Sequence, residues 1–189
     1  KLFLDSNETW RKFFQKHNVC NLVFAIACLD QLEKNIYFDR ELIKSIDLPD
    51  GRAKLISKNN KNILVDYAHN FGGIKAIVNS VSNIYDDLII IYGCGGERDS
   101  SEREKIMKFA CTNSRKVIFT SDNSRNESFQ SILDDSRKDQ EYSNLIVEPD
   151  RKRAINVTAD VDLTVTTGNE VIAAVTASIL PKLLKKYSS

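Results

Sequence analysis

Apolar side chains recur at Val19, Leu22, Val23, Ile26, Leu29 and Leu32. That three-and-four spacing predicts a helix, with Asn18 as its N-cap. A short charged helix is expected over Asp39 to Ser45, and Asp47-Leu-Pro-Asp-Gly51 is the strongest turn and boundary signal in the chain. Beyond it the pattern changes. Arg52 to Ser57 and Ile63 to Tyr67 read as strands on either side of the polar tract Lys58-Asn-Asn-Lys-Asn62, and Ile74, Ile77, Val78 and Val81 mark a helix within Phe71 to Tyr85. Leu88-Ile-Ile-Ile-Tyr92 is an unbroken apolar, β-branched run, the signature of a buried parallel strand. Gly93-Cys-Gly-Gly96 ends it, and Ser100 to Cys111 returns to a helical period. Lys116 to Thr120 predicts a strand, Phe129 to Leu133 a helix, Leu145 to Val147 and Val161 to Val165 two more strands, and Glu170 to Tyr187 a final helix. Strands and helices alternating in this way predict an α/β fold, a mostly parallel sheet flanked by helices.

Composition changes this picture little and charge excludes some functions. With 27 basic against 26 acidic residues among 189, no basic surplus suits a nucleic-acid partner. The apolar run Leu22 to Leu29 falls far short of the roughly 20 residues a membrane span needs. Cys20, Cys28, Cys94 and Cys111 form no C-x-x-C pair, and with only His17 and His69 beside them no zinc site is expected. No charged-apolar-small leader is read at the start of the sequence, so a reducing cytoplasm is the expectation, and Cys20 and Cys28 are expected to fill the core of their helix. The sole methionine is Met107 and the chain begins at Lys1, so a piece of a longer protein is expected.

In open α/β sheets ligands collect outside the carboxyl ends of strands. Four polar clusters fall at such ends: Asp66-Tyr-Ala-His69, Gly93-Cys-Gly-Gly-Glu-Arg-Asp99, Ser121-Asp-Asn-Ser-Arg125 and Thr166-Thr-Gly-Asn-Glu170. Asp66 suits ribose hydroxyls and His69 a phosphate or base; alternatively Asp66 caps the next helix. The glycines at 93–96 either let backbone amides meet an anion or serve a turn with positive φ. Arg98 can fork a carboxylate or pair with Asp99 or Glu102. Asp122, Asn123 and Arg125 together suit a zwitterion, the acid and amide for an ammonium and the guanidinium for a carboxylate; otherwise they form a capping turn. Glu170 adds a second carboxylate for an amine or a first-turn helix acid.

Taken together these clusters resemble the Mur ligases. His17-Asn-Val-Cys-Asn21 and the apolar residues after it are similar to the H/F-N-x-x-N-x-x-A-A-I-A helix that ends their ATPase domain. Gly51-Arg52 with Val65-Asp-Tyr-Ala-His-Asn70 resembles the G-R and V-D-Y-A-H-x-P that open their C-terminal domain. Gly93 to Asp99 resembles G-C-G-G-D-R-D, and Thr120-Ser-Asp-Asn-Ser-Arg125 resembles T-S-D-N-P-R, both of the MurE branch. The resemblance implies a helical remnant of the central domain over 1–50 and a Rossmann-like amino-acid-binding domain over 51–189.

The resemblance also implies chemistry. ATP and Mg²⁺ convert a carboxylate of UDP-MurNAc-L-Ala-D-Glu to an acyl phosphate, which the amine of a diamino acid attacks to form an amide in peptidoglycan precursor synthesis. Asn18, Asn21, Arg52, Asp66 and His69 are then expected on ATP. Arg98, Asp122, Asn123, Ser124, Arg125, Thr166 and Glu170 are expected on the amino acid, with Mg²⁺ ligands mainly outside this chain. A final arginine in the D-N-x-R cluster goes with meso-diaminopimelate, whose distal carboxylate lysine lacks. Departures are also visible: Ser124 stands for proline, Ser100-Ser-Glu-Arg-Glu104 for K-G-K-R-P, and Thr166-Thr-Gly-Asn-Glu170 for G-K-G-H-E. The isolated fragment, a monomer by expectation, should not run the full reaction. The alternatives are a non-catalytic ligand-binding module and a relative of the cyanophycin or folylpolyglutamate synthetases.

Overall fold

Leu88–Tyr92 is apolar at all five positions and buried at all five. Only a strand covered on both faces carries such a run. It is the third of six strands in a computed structural model that describes residues 16–32, 45–46, 51–58, 61–82, 85, 87–156 and 163–167. The strands are β1 (Lys54–Lys58), β2 (Lys61–Asp66), β3 (Leu88–Tyr92), β4 (Lys116–Phe119), β5 (Leu145–Val147) and β6 (Leu163–Thr167). They lie side by side in the order β1-β2-β6-β3-β4-β5. The pairs β2/β6, β6/β3, β3/β4 and β4/β5 are all parallel. The last strand therefore closes the middle of the sheet, with Thr166 opposite both Val65 and Ile91.

The helices α2 (Phe71–Val81), α3 (Ser101–Thr112) and α4 (Phe129–Arg137) connect these strands, followed by the short α5 (Arg151–Asn156). Alternation along β3 and β4 sends successive side chains to opposite faces. On one face Tyr92 donates its hydroxyl to Met107 Sδ of α3 and meets Phe119 edge-on, and Phe119 in turn meets Phe129 of α4. Phe71 of α2 packs edge-on against Phe109 of α3 on that side. On the other face Val65, Ile89, Ile91 and Ile118 pack with Ala154 and Ile155 of α5. Two helix starts carry side-chain caps: Asn70 accepts from Gly73 N at 2.8 Å and Ser128 from Ser131 N at 3.0 Å. Asp66 is thus not the cap of the helix that follows it.

The chain forms two compact units, Lys1–Lys54 and Leu55–Ser189. In the first, α1 (Lys16–Gln31) begins before Asn18, so that residue is not an N-cap. It lies inside the helix, 5% exposed, and its amide nitrogen has no hydrogen-bond partner among the described residues. Val19, Leu22, Ile26 and Leu29 share its covered side, while Val23 and Phe24 are exposed. Cys20 and Cys28 are exposed as well, contrary to the expected core role. The apolar residues run nearly around α1, and a helix has only one side on which to cover them. The helices expected over Asp39 to Ser45 and Glu170 to Tyr187 lie mostly or wholly outside the described residues. No helix among those described is long and apolar enough to cross a membrane.

Candidate functional site

Parallel pairing brings the carboxyl ends of β2, β3, β4 and β6 to one edge of the sheet. A cleft of about 290 Å³ opens there, lined by His69, Asn70, Cys94, Gly95, Arg98, Asp99, Glu102, Arg103 and Ile106. His69 Nδ1 donates to the Tyr67 carbonyl at 2.9 Å, so in the neutral ring Nε2 is an acceptor. Asp66 is 4% exposed and its carboxylate accepts from Ala68 N at 2.7 Å, shaping the turn that presents His69. Glu102 accepts from Phe71 N at 3.3 Å and so links α3 to the start of α2. Arg98 is exposed and makes no ion pair among the described residues. Neighbouring Asp99 turns instead to Ser101, whose hydrogen bonds lower its carboxyl below the usual range. Burial pushes the Cys94 thiol up to about 12, which makes it a poor nucleophile at neutral pH.

The loops after β3 and β4 are locked together. Gly96 N donates to Asn123 O at 2.9 Å, Arg125 donates to the Gly96 carbonyl, and Asn126 donates to Glu97 at 2.5 Å. Glu97 N donates to Glu127, whose carboxylate also receives both terminal nitrogens of Arg103 at 2.8 and 3.0 Å. Arg103 is 2% exposed and further donates to Asp135 at 2.8 Å and to Gly95 O at 3.2 Å. Those bonds hold Glu127 near pH 2, with the Arg103 hydrogen bond the largest cause, and raise Arg103 above its usual value. A methyl at Gly96 would overlap the Ser124 carbonyl oxygen, and one at Gly93 the Thr120 carbonyl. Neither glycine has a positive φ. Their role is the close approach of two backbones, not a left-handed turn.

The expected nucleotide-side residues are divided between the two units. Asn18, Asn21 and Arg52 belong to the first unit and Asp66 and His69 to the second. Asn21 and Arg52 are exposed. Asp122 is 3% exposed and lies 3.8 Å from Arg151, whose Nε donates to Ser121 O at 2.8 Å. Ser124 donates to Asp122 O, and the side chain of Asn123 is exposed. Arg125 is exposed at φ 50°, with one of its guanidinium nitrogens on Gly96 O. Thr166 lies on the central strand β6, opposite Val65 and Ile91, and Glu170 lies outside the described residues. No group of three metal-ligating side chains occurs among the described residues.

Sequence reasoning passed over Arg103, Glu127 and Arg151, yet two of them carry a legible signal. Arg103 precedes Ile106, Met107 and Ala110 at helical spacing, and Arg151 precedes Ala154 and Ile155 in the same way. An arginine on the buried stripe of a helix needs a buried acceptor. Nothing local to Glu127 distinguishes it.

The description "Mur ligase, glutamate ligase domain" matches residues 51–171. A UDP-N-acetylmuramoyl-L-alanyl-D-glutamate--2,6-diaminopimelate ligase of Clostridium perfringens is 34% identical over 146 residues, which cover 74% of this chain and 30% of that protein. The ligase of the same name from Buchnera aphidicola subsp. Acyrthosiphon pisum is 36% identical over 144 residues, 75% of this chain and 29% of its own length. The chain thus spans about 30% of the length of these relatives. A solved structure of a ligase with that name superposes with a TM-score of 0.59 at 26% identity, over 82% of this chain and 33% of the other. A folylpolyglutamate synthase of Thermotoga maritima superposes at 0.66 over 88% of this chain and 39% of its own, at 23% identity, a likeness of fold. With the family match spanning well over half of its length, the chain belongs to the Mur ligase family through its glutamate ligase domain.

Proposed function

We propose that this chain is the C-terminal, amino-acid-binding part of an ATP-dependent ligase. The ligase adds meso-diaminopimelate to UDP-MurNAc-L-Ala-D-Glu in peptidoglycan precursor synthesis. The observation that carries this reading is the pair of exposed arginines, Arg98 and Arg125, on two loops bonded to each other at the sheet edge. A diamino acid with two carboxylates needs two cations at a set separation, and guanidinium forks supply direction as well as charge. The identity to named diaminopimelate ligases supports the same substrate.

Within this proposal each residue has a task. Arg125 takes the distal carboxylate that lysine lacks, and Arg98 the other end of the ligand. Exposed Asn123 offers its amide to the ligand, while buried Asp122 anchors the loop beside Arg151. Thr166, and Glu170 outside the described residues, are the further substrate-side residues of this reading. His69 offers Nε2 at the cleft, and Asp66 holds the turn that carries it. Asn18, Asn21 and Arg52 are the nucleotide-side residues of the first unit. ATP with Mg²⁺ supplies activation of the acceptor carboxylate. Residues 1–50 belong to the central domain and 51–189 to the C-terminal one, in a cytoplasmic protein that takes part in cell-wall growth.

The test is kcat/KM for meso-diaminopimelate and for lysine in the complete ligase, with and without Arg125→Ala. A charged hydrogen bond contributes about 1.5–3 kcal/mol, or roughly 10- to 150-fold. Arg125→Ala is expected to lower diaminopimelate use by that factor and leave the KM for ATP unchanged. A wild type that prefers lysine overturns the substrate assignment, as does a mutant that keeps full preference for diaminopimelate.

A further inference from the structure

Arg103 is a buried charged group in the lining of the cleft. It is 2% exposed, yet its terminal nitrogens reach Glu127 twice, Asp135 once and the Gly95 carbonyl once. The Glu127 carboxylate it holds accepts in turn from Glu97 N, the amide one residue before Arg98. Glu127 itself follows Arg125 by two residues and is turned back by its own N–H to Ser124 O at 3.0 Å. A single guanidinium on α3 is therefore bonded, through one carboxylate, to the loop segments next to both exposed arginines.

Two strained positions mark the same place. Glu97 at φ 53° and Arg125 at φ 50° both occupy the left-handed region without being glycine. Such residues persist where surrounding contacts over-determine them. Here those contacts are the bonds among Gly96, Asn123, Arg125, Asn126, Glu97 and Glu127.

We propose that Arg103 is a positioning residue: its fork on Glu127 sets the separation and direction of Arg98 and Arg125, and so the discrimination between a diamino acid with two carboxylates and one with a single carboxylate. The proposal rests on the ligand reading given above. Arg103 does not touch the ligand in this scheme. It acts by removing the freedom of two loops before binding, so less order has to be gained when the ligand arrives.

The experiment uses the complete protein with Arg103→Gln and Glu127→Gln, singly and together, and meso-diaminopimelate and lysine as probes. Amide hydrogen exchange over residues 93–99 reads the loops, and the ratio of kcat/KM for the two amino acids reads the alignment. Each single variant is expected to speed exchange at Gly96 and Glu97 and to cut the diaminopimelate-to-lysine ratio about ten-fold, mainly through the KM for diaminopimelate. The double variant should add little to either single one, because both remove the same link. Arg103→Lys keeps the charge without the fork and should restore the fold but not the ratio. Unchanged exchange in Glu127→Gln, or an unchanged ratio alongside faster exchange, overturns the proposal. A wild type without preference for diaminopimelate overturns the ligand reading instead, and the exchange rates alone then decide the role of Arg103.

Discussion

Helices α1 and α3 invert the usual placement of polar and apolar side chains. On α3 the buried stripe begins with a guanidinium, Arg103, while on α1 Val23 and Phe24 face solvent at 52% and 75% exposure. The difference lies in the partners each helix meets. Arg103 finds a carboxylate and a carbonyl on neighbouring loops and a second carboxylate, Asp135, on α4, so its burial leaves its terminal nitrogens satisfied. The apolar residues of α1 surround the helix and exceed the side that is covered. Hydropathy alone therefore ranks neither helix correctly; the availability of a matching surface does.

The largest expected effect breaks the tight side of this comparison. Gly96→Ala forces the loops after β3 and β4 apart, because the new methyl overlaps the Ser124 carbonyl oxygen. A loss of about 3 kcal/mol in urea unfolding of the second unit is expected. Gly72→Ala, on α2, is the control. Its methyl would meet only Asn70 Oδ1 at 3.9 Å, and the helix should gain about 0.5–1 kcal/mol. Equal effects at the two glycines would show that the loop contact is not tight.

A smaller effect appears on acidification. Glu127 is held down from 4.5 to about 2, so it is deprotonated in the fold at pH values where the unfolded chain has taken a proton. The stabilisation is whole above pH 4.5, declines below it and is gone once pH has fallen through about 2. Unfolding free energies measured across that window should fall more steeply for wild type than for Glu127→Gln. Parallel curves would mean that Arg103 does not hold the carboxylate in solution.

The smallest effect concerns the thiols and sharpens the contrast with α1. Cys20 and Cys28 are exposed, whereas Cys94 is buried with its thiol raised to about 12. Native labelling at pH 8 should modify Cys20 and Cys28 promptly and spare Cys94. Phe24→Gln, at an exposed position, should change unfolding stability by less than about 0.5 kcal/mol. Protection of Cys20 or Cys28 would mean that the outer side of α1 is covered in solution.

By itself the sequence determined the six strands, the helices α1 to α4 and the edge where ligands meet, but not the short α5. Leu88 to Tyr92 was legible as a doubly covered strand because an unbroken apolar run has no other stable place. The polar clusters at Asp66, Gly93 and Ser121 were legible as strand ends because turn residues stop apolar runs, and parallel pairing then puts them on one side. Only the tertiary structure decided what each residue does there. The insertion of β6 between β2 and β3 depends on pairing across about a hundred residues, which no local pattern encodes. The glycines at 93 and 96 serve contact with a loop some thirty residues away, so their purpose is invisible in their own turn. The exposed sides of Cys20 and Cys28 could not be read from a helix whose apolar residues point in nearly every direction. Asp122 and Arg125 sit three residues apart in one motif, yet one is buried beside Arg151 and the other stands in solvent. Residue type and spacing bring charges to the same edge; contacts distant along the chain decide which of them remain available to a ligand.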